Sequence, residues 1–241
     1  MKNIFRLSFL LLFLTASCRL LYKEGDISVI NYPFEKINTV IFDDVFNVWY
    51  IHNSVPKITI EGREKHLEKI SLKSDNGKVK LSSSIKMQAL YGYGEINVYL
   101  YAPTLDSVIF SVAGYFTTKD TLKAENFHYS MSGDIGDSDI IVKVKNLSYK
   151  IDYSNGYHKI EGEADDTYFS NRGMAVLDAR NHKSKKIKCE QNSTGDCHIK
   201  AIDKLNYSIN LTGNIYQYGK TTVQPTLIGK KTGTGELIIL K

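Results

Sequence analysis

"SMSGDI", residues 130–135, recurs in altered form through the second half of the chain: SVAGYF at 111–116, YSNGYH at 153–158, SNRGMA at 170–175, NSTGDC at 192–197, NLTGNI at 210–215 and TGTGEL at 232–237. The glycines are Gly114, Gly133, Gly156, Gly173, Gly195, Gly213 and Gly235, with gaps of 19, 23, 17, 22, 18 and 22 residues. Taken two at a time the gaps are 42, 40, 39, 40 and 40, so the irregularity alternates and does not accumulate. A period near 20 residues with a small-polar-then-glycine signature predicts a solenoid in which each repeat is one coil.

The residues around each glycine give the coil an inside. Four positions before it stand Phe110, Tyr129, Phe169 and Ile209, and two before it Val112, Met131 and Leu211. Two after it come Phe116, Ile135, His158, Ala175, Cys197, Ile215 and Leu237. Alternation of period two through a glycine bend predicts strands whose alternate side chains line a core. Glycine suits a bend where a Cβ would crowd the coil above or below. His158 then falls inward and reads as a packed, hydrogen-bonded histidine. Cys189 occupies the slot of Phe127 and Tyr207.

Working outward, residues 34–103 read as a β-rich first part and 104–241 as the repeated coils, together one domain over 34–241. Val40 to Phe42, Phe46 to Tyr50, Lys57 to Ile60 and Glu95 to Tyr101 are strand-like, and Ala102-Pro103 ends the last of these. Glu61 to Ile70 is the one stretch with a helical turn or two. Ser74-Asp75-Asn76-Gly77 predicts a hairpin, since Asn-Gly suits the positive φ angles of a type I′ turn. Ile27 to Ile30 carries a weaker strand signal.

Residues 1–17 have the three parts of a signal peptide: Lys2 and Arg6, the apolar run Leu7 to Leu14, and the small residues Thr15, Ala16 and Ser17. The apolar run is too short for a membrane span. Leu14-Thr15-Ala16-Ser17-Cys18 resembles a bacterial lipobox, which implies a mature protein beginning at a lipidated Cys18, with 18–33 as tether. Several acyl chains would hold it at a bilayer. Arg19 in place of an aspartate is compatible with outer-membrane sorting, with the periplasmic and external sides as alternatives. Loss of Lys2 and Arg6 lowers the formal charge from +5 to about +3. The basic residues are scattered, which argues against nucleic acid as a partner. Cys189 and Cys197 form an even pair in an oxidising compartment. A disulfide across a turn and two buried free thiols are both open.

The repeat, with Tyr99-Leu100-Tyr101-Ala102-Pro103-Thr104-Leu105 before it, resembles the DUF2807 family, also called the GIN domain or auto-transporter adhesin head, over about 34–241. Ser132-Gly133-Asp134-Ile135 is closest to the family form; Tyr216-Gln217-Tyr218-Gly219 and Thr232-Gly233-Thr234-Gly235 resemble its late segments. Ser154-Asn155-Gly156 and Asn171-Arg172-Gly173 are looser, and the proline due after Gly219 is delayed to Pro225. The resemblance implies an all-β, right-handed parallel β-helix or β-solenoid and no demonstrated activity.

Chemical motifs are sparse. There is no HExxH, GxSxG, P-loop or strand-turn-helix dinucleotide fingerprint, and the six histidines are dispersed. Tyr91-Gly92-Tyr93-Gly94 runs into a strand and does not open a helix. No cofactor is expected; the one metal alternative is calcium held by Asp134, Asp137 and Asp139. Asp165-Asp166, a coil further on, could approach that cluster and keeps a polysaccharide-acting β-helix enzyme as an alternative. Tyrosines are numerous, and Tyr91, Tyr93, Tyr153, Tyr157, Tyr216 and Tyr218 could form a face that stacks on sugars or proteins. The expected function is a non-catalytic binding or adhesion-type envelope lipoprotein, its partner a glycan or an envelope protein, with a purely structural role as the alternative.

Overall fold

The computed structural model describes residues 25–84, 96–133, 135–219 and 225–240. The first part holds β1 (Ile27–Pro33), β2 (Thr39–Phe42), β3 (Asn47–His52), β4 (Lys57–Arg63), a single helical turn α1 (Glu64–Leu67), β5 (Ile70–Asp75), β6 (Lys78–Ser83) and β7 (Asn97–Ala102). The coils follow as β8 (Ser107–Phe110), β9 (Gly114–Thr118), β10 (Leu122–Ser132), β11 (Gly136–Ser154), β12 (Tyr157–Gly173), β13 (Val176–Ser193), β14 (Cys197–Ile209), β15 (Ile215–Tyr218), β16 (Thr226–Lys231) and β17 (Leu237–Leu240). The fold is an all-β solenoid with a repeat of about 20 residues.

Two parallel walls run the length of the molecule. The first is β7-β3-β9-β11-β12-β13-β14-β15-β17. The second is β6-β2-β8-β10-β11-β12-β13-β14-β16. The long strands β11 to β14 bend and serve both. The first part is thus not a separate lobe: β2, β3, β6 and β7 are already rungs of the walls, and β4, β1 and β5 close that end antiparallel. The predicted hairpin joins β5 to β6, with Asn76 at φ 44° and Gly77 at φ 78°. Those are the two positive angles a type I′ turn requires.

Inward side chains stack in columns along the axis. One column runs Val79, Val40, Val108, Tyr129, Tyr149, Phe169, Cys189 and Tyr207. Tyr149 stacks on Tyr129 at 4.4 Å with ring planes 15° apart and meets Phe169 edge-on at 6.4 Å. Burial of such rings is the main source of stability, each worth roughly 1.5–3 kcal/mol. His158 is fully buried, as expected, with Nδ1 3.0 Å from the Tyr149 hydroxyl and 3.2 Å from Ser138 Oγ. Cys189 and Cys197 are both buried free thiols here, and Cys197 Sγ donates to Gln191 Oε1 at 3.1 Å.

The glycine column is where sequence and structure part. Gly136, not Gly133, stands against Gly114, and Gly156 follows on the next rung. On the rung after that the position belongs to Ala175, not Gly173, because Tyr157 pairs with Val176. Gly133 lies in the preceding bend, and Gly173 is the last residue of β12 before its bend. A Cβ on Gly133 would come within 2.6 Å of Ala113 N, so it too fills a tight site, but a different one. This slip in register explains two misplacements. Ile135 is exposed, not inward. Cys189 shares its column with Tyr129, while Phe127 belongs to the column of Leu147, Thr167 and Ile187. Leu211 is also exposed, because the chain bends before Gly213 and leaves the wall there.

Candidate binding face

The outward side of the first wall is set by strand alternation. Residues flanking the inward Phe116, Ser138, His158, Leu177, Cys197 and Ile215 must point away from the core. On successive rungs these are Tyr115, Asp137, Tyr157 and Val176 in one line, and Thr117, Asp139, Lys159, Asp178, His198 and Tyr216 in the next. At the far end of the same wall Trp49 stacks on Tyr99 at 5.3 Å.

Two patches stand out on this face. The first is a hollow of about 310 Å³ bordered by Tyr115, Thr117, Asp137, Asp139, Tyr157 and Lys159. Asp137 Oδ1 accepts the Tyr157 backbone N–H at 2.5 Å, and Lys159 bridges Asp139 at 3.4 Å and Glu161 at 3.0 Å. The hydrogen bond to Glu161 holds the Lys159 ammonium above its usual range. The second patch is aromatic. His198 stacks on Tyr216 at 4.8 Å with planes 9° apart, and its Nδ1 lies 3.0 Å from the Tyr218 hydroxyl. Arg180 sits over the Tyr218 ring at 5.5 Å and donates Nε–H to Asp178 at 2.8 Å; Tyr157 also donates its hydroxyl to Asp178. Burial alone would raise the Asp178 carboxyl, but the hydrogen bonds from Arg180 and Tyr157 outweigh it and leave it below the usual carboxylate range. Burial, then the Arg180 charge, keep His198 lowered and hence neutral at pH 7. Hydrogen bonds thus link Tyr157 through Asp178 to Arg180, whose guanidinium lies over the Tyr218 ring and completes the link by a cation–π contact.

Along the bend that enters this wall lies an apolar edge. Val45, Tyr115, Ile135, Tyr153, Tyr157, Met174 and Leu211 are half of the large apolar residues exposed among those described. Tyr153 is 71% exposed and left-handed at φ 59°. It lies in a β-bulge between Ile151 and Ser154, and Gly173, at φ 107°, pairs with Ser154 on the next rung. Placing a tyrosine where glycine is the comfortable residue costs about 1–2 kcal/mol. Strain of that kind concentrates where a side chain is used.

Among the expected face residues, Tyr153, Tyr157, Tyr216 and Tyr218 are brought to one side; Tyr91 and Tyr93 lie outside the described residues, as do Cys18 and Asp134. Asp137 and Asp139 are engaged with Tyr157 and Lys159. Asp165 and Asp166 do not approach them. They lie at the opposite bend, 2.7 Å from Lys185 and 3.7 Å from Lys186, because they follow Asp139 by one coil plus several residues. Among the described residues no three His, Cys, Asp or Glu side chains cluster as metal ligands, and no helix is long and apolar enough to cross a membrane. The sequence reading missed Tyr115, Arg180 and His198. Their outward register was readable only once the glycine column had been aligned.

The arrangement is that of a β-solenoid with one aromatic, charge-lined wall open to solvent. The chain belongs to the DUF2807 family, described as "putative auto-transporter adhesin, head GIN domain", whose model matches residues 34–221. Three solved structures share the fold. A putative adhesin from Bacteroides fragilis aligns with TM-score 0.82 at 19% identity, over 89% of this chain and 97% of that one. A putative lipid binding protein from Parabacteroides distasonis aligns at 0.66 and 16%, over 90% and 98%. A putative adhesin from Parabacteroides merdae aligns at 0.58 and 20%, over 89% and 97%. No curated protein matches the sequence.

Proposed function

We propose that this chain is a non-catalytic binding module of the bacterial cell envelope, lipid-anchored at Cys18 in the outer membrane, whose ligand face is the tyrosine wall with its apolar edge. The observation that carries the reading is Tyr153, a strained and exposed ring in line with exposed apolar neighbours on one edge. Solenoid walls make extended docking surfaces, and hydrogen-bonded rings lose little entropy on contact. The ligand class is a glycan or an envelope protein. The carboxylates of the wall stay paired and outward, so no acid–base pair is held over a common point, and binding occurs without turnover.

A glycan and envelope-fraction array probed with the purified protein, in calcium and again in chelator, tests this. Saturable binding that survives chelation and weakens in Tyr153→Ser is the expected result. Binding lost on chelation would transfer the role to Asp134, Asp137 and Asp139. Product release from a polysaccharide would contradict the non-catalytic reading.

A further inference from the structure

A second recess lies on the other side of the molecule, where β10 to β14 bend from one segment into the next. It is a groove of about 490 Å³ along the solenoid axis, floored by Phe127, Leu147 and Ile187. One rim is the rung column Asn126, Asn146, Asp166, Lys186 and Lys204. The parallel column carries His128, Ser148, Tyr168 and Lys188. At about 4.8 Å per rung, five coils give a track roughly 19 Å long.

The track is chemically graded. Its first two coils present neutral hydrogen-bonding groups on both rims: Asn146 donates to Asn126 at 2.8 Å, and His128 Nδ1 lies 3.1 Å from Ser148 Oγ. Burial, then Lys150, hold the His128 pKa down, and the carboxylate at this end, Asp106, accepts from Asn38 Nδ2 at 2.8 Å. Its last coils are cationic. Lys186 is only 3.7 Å from Asp166, and Lys188 pairs with Glu190 at 2.7 Å. Exposed pairs of this kind contribute about 0–1 kcal/mol and are readily exchanged for a ligand's acid group. Lys204 lines the same end and has no ion-pair partner among the described residues. Lys188 also lies over the Tyr168 ring at 5.1 Å, which keeps its ammonium beside the groove.

We propose that this groove binds a uronate-bearing polysaccharide lying along the axis, with hydroxyls on the asparagine end and carboxylates on Lys186, Lys188 and Lys204. A flat anionic membrane would touch the rim and leave the floor empty, whereas a single sugar chain fits between the two columns. The site is separate from the tyrosine wall and does not rest on it.

The test uses the purified full chain with polygalacturonate oligomers, the same oligomers methyl-esterified, and phosphatidylglycerol vesicles, by calorimetry in low and high salt. Saturable binding to the acid oligomers is expected, at least about tenfold weaker for the ester and weakened by salt. Lys186→Ala/Lys204→Ala should lose about tenfold, and Lys186→Arg/Lys204→Arg should restore most of it. Lys57→Ala, on β4 outside the groove, should leave it unchanged, which separates the groove from the protein's general charge. Circular dichroism melts confirm that each variant is folded. Equal affinity for acid and ester, full affinity in the double alanine variant, or binding to vesicles alone would overturn the proposal.

Discussion

His158 and His182 are fully buried in the solenoid, and burial pushes both down to about 4. For His158 the Asp137 charge opposes this and does not prevail. In the unfolded chain each would titrate near 6.5. Between those values the unfolded state takes up protons that the fold refuses, so the stability present above pH 6.5 falls as the pH drops toward 4. The loss reaches roughly 3 kcal/mol per histidine as an upper bound. Melting temperatures measured from pH 7 to pH 4 should decline, and His158→Phe should flatten the slope. Gly156 offers a steric counterpart. A Cβ there would overlap the carbonyl of Gly136 on the adjacent rung, so Gly156→Ala should cost about 1–3 kcal/mol or more in denaturant unfolding. Ala175, one rung on, already carries a Cβ, and Ala175→Gly should cost under about 1 kcal/mol. The inward role of His158 was legible because period-two alternation fixes it directly. The place of Gly136 was not, since SMSGDIG offers two glycines three apart and only the rung pairing chooses between them.

At the scale of strands and coils, stability lies in the stacked columns. Tyr149 stands between Tyr129 and Phe169 and keeps its hydroxyl on His158 and Ser138. Tyr149→Ala should cost about 3–5 kcal/mol, as for other buried aromatics, and Tyr149→Phe about 1–3 by withdrawing a partner from His158. By contrast the outward ion pairs between rungs, such as Lys143–Glu163 and Lys185–Asp165, are exposed and should matter little. Raising salt should therefore leave the melting temperature nearly unchanged. The hairpin at Asn76-Gly77 and the end of β7 before Pro103 were written in local chemistry and are found where expected. That β2, β3, β6 and β7 continue the walls of the solenoid was not legible. Their partners lie tens of residues away, and no repeated motif marks the join. The same distance hid the separation of Asp165-Asp166 from Asp137 and Asp139, which depends on where within a coil each pair falls.

For the whole molecule, the proposal joins an anchor, a rigid axis and exposed walls. Intact-mass analysis of the membrane-extracted protein should show acyl mass on Cys18, and an unmodified product beginning elsewhere would remove the anchor. The solenoid is well suited to presenting a face, because each rung is fixed by hydrogen bonds above and below and each outward side chain repeats at rung spacing. The central claim is that the tyrosine wall is the binding face. Its most direct test is the affinity of the strongest array ligand for the wild-type protein and for Tyr153→Ser/Tyr157→Ser, measured by calorimetry with the fold checked by melting. Because aromatic anchors dominate contact energetics, the variant should lose at least about 2 kcal/mol of binding while remaining folded. Undiminished affinity in the folded variant would contradict the claim.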